Sequence, residues 1–135
     1  TLDNKVITVS NNIHLPKSFH RFAGLIEKLF SEKIIESDGK KLLEMNDMSF
    51  SELIEEINPK NVVGLSRAGK PSSFHNVAKS LTSNSCLVIG GFQKTHFSDQ
   101  TVSKMDHLVS IDSDSLESHI VTARILYEYE KTIFK

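Results

Sequence analysis

The chain has 135 residues, a formal net charge of −1, 39% hydrophobic and 24% charged residues, the balance of one globular domain with a sizeable core. Its apolar runs, such as Cys86-Leu87-Val88-Ile89, are far too short to cross a membrane, and no charged-then-apolar leader opens it. Near-neutral charge excludes blanket electrostatic attraction to nucleic acid and leaves room only for a local basic patch; a single cysteine excludes an internal disulfide and fits a reducing, cytoplasmic setting.

In chain order, Thr1 to Val9 reads as a turn and a short strand with Val6, Ile7 and Val9 apolar. Asn11 and Asn12 break it. Pro16 suits the start of a helix, and Phe19, Phe22, Ile26, Leu29 and Phe30 give that helix one apolar face. Ser37 to Asn46 is polar and contains Gly39, so a loop or weak hairpin is expected. Ser49-Phe50-Ser51-Glu52 has the form of a capping box, followed by a short helix through Leu53, Ile54 and Ile57 that Asn58-Pro59 ends.

Three strand-loop-helix units come next. Val62 to Leu65 leads to a helix from Phe74 to Leu81, Cys86 to Ile89 to a short helix after Ser98-Asp99, and Leu108 to Ile111 to a long helix from about Ser115 to Lys131. Strands alternating with helices predict an α/β fold, a mostly parallel sheet with helices on both faces. With no repeat, low-complexity segment or linker, residues 1–135 read as a single domain. Cys86, inside an apolar strand, reads as a small buried residue and not as a nucleophile.

In such sheets, ligands bind beyond the carboxyl ends of the strands. The loops there are Leu65 to Lys70, Gly90 to Thr95 and Ile111 to Ser115. Gly90-Gly91 after a strand permits close backbone approach to a ligand, although the plainer reading of the pair alone is an ordinary tight turn. Gly64 to Pro71 nearly matches the phosphate-binding pattern G-x-x-x-x-G-K-[ST], but proline replaces the hydroxyl residue and the first glycine falls inside the strand. Nucleotide hydrolysis does not follow, and Arg67 and Lys70 read as a solvated loop.

His14, Lys17 and Arg21 are spaced i, i+3, i+7 and would share a stripe if a helical turn reached back to His14. Cations at a helix N-terminus oppose the dipole, which a bound phosphate backbone would explain; a solvated face is the alternative. The six histidines (14, 20, 75, 96, 107 and 119) show no spacing suited to a metal, so no metal is expected. No nucleophile-histidine-acid arrangement stands out.

Four segments, in order, resemble the Nep1/Emg1 family of ribosomal RNA pseudouridine-N1 methyltransferases of the SPOUT class. Ile13-His14-Leu15-Pro16-Lys17-Ser18-Phe19-His20-Arg21-Phe22-Ala23-Gly24-Leu25-Ile26 is similar to R-I-P-R-x-[FY]-x-R-F-x-G-L-[IM]. Val63-Gly64-Leu65-Ser66-Arg67-Ala68-Gly69-Lys70 is similar to G-L-S-R-x-G-K of archaeal members, and Leu87-Val88-Ile89-Gly90-Gly91-Phe92 to V-I-G-[GA]-F. Ser110-Ile111 through Leu116, then Arg124 to Glu130, resembles the ending with S-I-x-x-x-P-L and L-Y-E-Y-E.

The resemblance implies a SPOUT fold whose part from residue 60 to 135 binds the cofactor and threads into a trefoil knot, a topology general rules would not suggest. It implies S-adenosylmethionine as cofactor, methyl transfer to N1 of a pseudouridine in small-subunit ribosomal RNA during ribosome biogenesis, and a homodimer. Carried over by position, cofactor contacts fall on Leu65, Gly90 with Gly91, Thr95, and Ile111, Asp112, Ser113, Asp114, Ser115 and Leu116; Ser118 and His119 flank them. Ser115 stands for the usual proline and Thr95 for a common glycine, so those loops are expected to differ in shape.

The RNA-binding set becomes His14, Lys17 and Arg21, the first two in place of arginine, which loses the bidentate fork and, at a neutral histidine, the charge. Family members open with a strand, a helix and a loop carrying an arginine and R-P-D, the proposed centre of catalysis. No counterpart precedes the strand at Val6, so the resemblance implies an N-terminally incomplete member, and no catalytic residue is named. Asp112 or Asp114 is a candidate partner for the cofactor's positive sulfonium. Two other functions fit the residues: a non-catalytic RNA-binding ribosome assembly factor, and an unrelated nucleotide-binding domain.

Overall fold

The computed structural model describes residues 1, 3–91, 96–112, 114 and 116–134. The chain forms two compact units, Thr1–Glu56 and Ile57–Lys135.

The first unit contains β1 (Lys5–Val9), α1 (Phe19–Glu32), β2 (Ile34–Ser37), β3 (Lys40–Asp47) and α2 (Phe50–Ile57). Its three strands lie in the order β1-β3-β2, both pairings antiparallel. The polar stretch expected as a loop or weak hairpin is a full hairpin with an eight-residue second strand. Asp38 (φ 52°) and Gly39 (φ 71°) make the turn, and two successive left-handed residues match the twist of the strands they join. So short a turn forces β2 and β3 antiparallel. The expectation of a mostly parallel sheet therefore fails for this unit.

Leu43 and Met45, on one face of β3, join Leu29 of α1 and Ile35 of β2 in the buried core. Lys33, left-handed at φ 64°, ends α1, its amide donating to Leu29 O at 2.8 Å, and the chain enters β2 at once. The capping box forms as read: Ser49 N donates to Glu52 Oε2 (2.7 Å) and Glu52 N donates to Ser49 Oγ (3.2 Å).

The second unit contains β4 (Asn61–Pro71), α3 (Phe74–Ser80), β5 (Ser85–Ile89), α4 (Asp99–Val102), β6 (His107–Ser110) and α5 (Ser118–Ile133). Its sheet, in the order β5-β4-β6, is parallel throughout, as the alternation of strands and helices predicts. Val63 and Leu65 face Val77 of α3 and Ile125 of α5 in a shared core, with the Arg124 guanidinium 5.5 Å from the centre of the Phe74 ring. Side chains alternate across a strand, so Gly64 faces the other way, where Met105 and Leu108 close over it. Asp106 ties the start of β4: its Oδ2 accepts from Val62 N (2.7 Å) and its amide donates to Val62 O (2.9 Å).

The expected loop from Leu65 to Lys70 is part of β4. Leu65 and Lys70 both pair with Val109 of β6, so residues 66–69 form an excursion that leaves the sheet and returns to it. Gly69 makes the return possible, since a Cβ there would lie 2.5 Å from the Val109 backbone. Ser72 N then donates to Ser110 O at 2.7 Å, so this segment stays on the sheet instead of cradling a phosphate before a helix. That removes the nucleotide-binding reading of Gly64 to Lys70.

Candidate functional site

Parallel pairing brings Leu65 level with Ile89 of β5 on one side and Val109 of β6 on the other. The strands therefore deliver their following residues, Gly90-Gly91 and Ile111-Asp112, to one edge of the sheet. Leu65 itself is 9% exposed and packs in the core, so its backbone is the part that a ligand at this edge would meet. Ile111 packs against the same core. After it, Ser110 Oγ donates to Asp112 O (3.0 Å) and Asp114 N donates to Asp112 Oδ1 (3.1 Å), which fixes the start of the turn. Leu116 is half-buried. Thr95, Ser113 and Ser115 lie outside the described residues.

Beside this edge is a shallow, open cavity of about 500 Å³, lined by Ile89 and Gly91 and by Ser118, His119, Thr122, Ala123 and Leu126 of α5. Its size suits a small organic ligand, and its walls are mostly carbon. A Cβ on Gly91 would meet nothing within 4 Å, so packing does not require glycine there; its bare backbone leaves the wall open. Ser118 and His119 line the cavity, as their position next to the expected cofactor stretch suggests. Thr122, Ala123 and Leu126 are not among the sequence candidates. Their helical spacing from Ser118 was the available signal, and it shows once α5 is known to begin at Ser118.

The basic residues are arranged differently from the expectation. α1 begins only at Phe19, with Ser18 extended at φ −83°, ψ 133°, so His14 and Lys17 precede the helix and Arg21 alone lies on it. Pro16 accounts for this: its ring disfavours helical geometry at Leu15, so the turn cannot reach back to His14. All three side chains are exposed. His14 also lines a second cavity, of about 300 Å³, within the first unit.

Among the described residues there is no group of three or more histidines, cysteines or acids placed to hold a metal, and no helix long and apolar enough to cross a membrane. Burial raises the Cys86 thiol above its ordinary value, in keeping with an inert structural residue.

A parallel α/β unit with an open cavity beside its strand ends is an architecture suited to binding a small ligand. The family model described as EMG1/NEP1 methyltransferase matches residues 1–130. The chain belongs to this EMG1/NEP1 family. It is 35% identical over 136 residues to the ribosomal RNA small subunit methyltransferase Nep1 of Thermoplasma acidophilum, covering 98% of this chain and 59% of that protein. The Nep1 of Methanothrix thermoacetophila is 29% identical, covering 100% of this chain and 59% of that one.

Among solved structures, Archaeoglobus fulgidus Nep1 bound to S-adenosylhomocysteine superposes with a TM-score of 0.81 at 28% identity, covering 100% of this chain and 61% of that one. The chain thus spans about 59% of the length of these curated relatives.

Proposed function

We propose that this chain is the cofactor-binding and RNA-facing part of an S-adenosylmethionine-dependent methyltransferase acting on N1 of a pseudouridine in small-subunit ribosomal RNA. The observation that carries the reading is the cavity bounded by Gly91 and α5 at the strand ends, in a chain that matches the Archaeoglobus fulgidus Nep1–S-adenosylhomocysteine structure over its whole length.

Bound S-adenosylmethionine would supply the methyl group on a positively charged sulfur. The chain's own residues would orient it and exclude water. The backbone after Leu65, at Gly90-Gly91 and from Ile111 to Leu116, including Thr95 by sequence position, would contact the cofactor; Ser118, His119 and Thr122 would close the far wall. Asp112 or Asp114 would stand against the sulfonium. His14, Lys17 and Arg21 would hold RNA phosphates. Family membership further supports a knotted C-terminal part and a homodimer, and Leu126, Tyr127, Ile133 and Phe134 of the last helix and its end, 53–77% exposed, are suitable apolar surface for a second copy.

Isothermal calorimetry with S-adenosylhomocysteine tests this. The expected result is stoichiometric binding to the chain, lost in Thr122→Trp, whose indole fills the cavity, with the fold intact by circular dichroism. Absence of binding by the folded chain sinks the cofactor assignment, and retained RNA affinity would then favour a non-catalytic assembly factor. Unchanged affinity in both Asp112→Ala and Asp114→Ala would remove the sulfonium role.

A further inference from the structure

The cavity in the first unit is not explained by the cofactor. Its floor is the top of the hydrophobic core, formed by Ile13, Leu25, Ile35 and Leu43. Its rim is polar: Asn12, His14, Asp38 and Lys40. At about 300 Å³ it is small, at the low end of ligand cavities, with room for one flat ring and its substituents.

We propose that this cleft receives one unpaired nucleobase of the bound RNA, an inference that rests on the RNA-binding reading above and adds a base-recognition site to it. The apolar floor suits a ring face. The rim offers both hydrogen-bonding senses: an amide that donates and accepts at Asn12, an acceptor at Asp38, and donors at Lys40 and the His14 ring. The edges of a base need such a mixture, and proteins read single-stranded RNA in this way, on splayed bases instead of paired ones.

Asp38 weighs against the simplest rival, a bare phosphate, because its carboxylate offsets the attraction of Lys40, and the apolar floor offers an anion no partner. Two cations lie close to the lining residues in sequence. Lys17 follows His14 by three residues, and Arg21 lies one helical turn before Leu25, which forms part of the floor. Phe19, 78% exposed, adds a free ring at the start of α1, set edge-on to His20 at 5.7 Å between centroids. Basic residues interleaved with exposed rings are the usual surface for single-stranded nucleic acid.

The test measures fluorescence anisotropy of the intact chain with oligoribonucleotides of about ten nucleotides, the four homopolymers and an abasic strand of equal length. Wild type is expected to bind at least one homopolymer about tenfold more tightly than the abasic strand, the size of one base's stacking and edge contacts. Ser37→Trp, at the exposed end of β2 on the cleft wall, and Asn12→Gly, which keeps the left-handed backbone there (φ 61°), are expected to erase that difference while leaving abasic affinity unchanged. Lys17→Ala is expected to weaken both strands together.

If both cleft variants keep the wild-type preference for bases, or lose affinity for both strands equally, the cleft is not a base site although RNA binding stands. A cleft that closes on protein gives the first of these results. If wild type binds no strand at all, the RNA-binding reading falls and the base site with it.

Discussion

His75 on α3 places its Nδ1 3.1 Å from Glu128 Oε2 on α5, joining the two helices that cover one face of the parallel sheet. The other oxygen of Glu128 accepts from Lys131 Nζ at 2.7 Å. The Lys131 hydrogen bond, and after it that of His75, hold the Glu128 carboxyl below its ordinary value of 4.5. A depressed carboxyl stabilises the fold above its unfolded-state pKa, and the contribution fades as pH falls through the lower, folded-state value. Urea midpoints measured between about pH 3 and 6 should therefore fall less steeply with acid in Glu128→Gln than in wild type. Equal slopes would mean that the exposed side of this cluster is too well screened to matter.

Two glycines on β4 separate backbone crowding from side-chain crowding. A Cβ at Gly69 would press on the Val109 backbone, which β6 holds in the sheet. A Cβ at Gly64 meets mainly the end of the Met105 side chain, which can swing away. Gly69→Ala should cost about 3 kcal/mol and Gly64→Ala about 1 kcal/mol, the upper and lower ends of overpacking penalties. Urea denaturation ranks them; the reverse order would show that the excursion at residues 66–69 gives way more readily than the packing around Met105.

The parallel unit was legible because its strands are short apolar runs separated by helical periodicities, and β5, β6 and α3 fall within about two residues of their expected places. The hairpin was read only weakly because β3 carries Lys40, Lys41, Glu44 and Asn46; its signal was the alternation of Leu43 and Met45, behind the Asp38-Gly39 turn. The excursion in β4 was not legible at all. It depends on where the chain returns to Val109, a long-range fact that a local pattern does not carry, so the local pattern predicts a loop where a strand runs. The same holds for the cavity beside the strand ends: the glycine turn and Ser118-His119 are visible as neighbours in sequence, while Thr122, Ala123 and Leu126 join them only through the placement of α5.

The basic residues ahead of α1 yield the last prediction. Lys17 precedes the helix and Arg21 lies in its first turn, both exposed, and the proposed RNA contact assigns their charges to phosphates. Each phosphate contact releases about one counterion, so removing one should lower the slope of log affinity against log salt by about one. Arg21→Ala should show that decrease with a fragment of small-subunit ribosomal RNA. Lys17→Arg should leave the slope unchanged, because the charge is the same, yet tighten binding several-fold at fixed salt, because a guanidinium grips phosphate with two parallel hydrogen bonds and an ammonium does not. A steeper slope in Lys17→Arg would point to a new contact elsewhere on the RNA, and an unchanged slope in Arg21→Ala would place that arginine outside the interface.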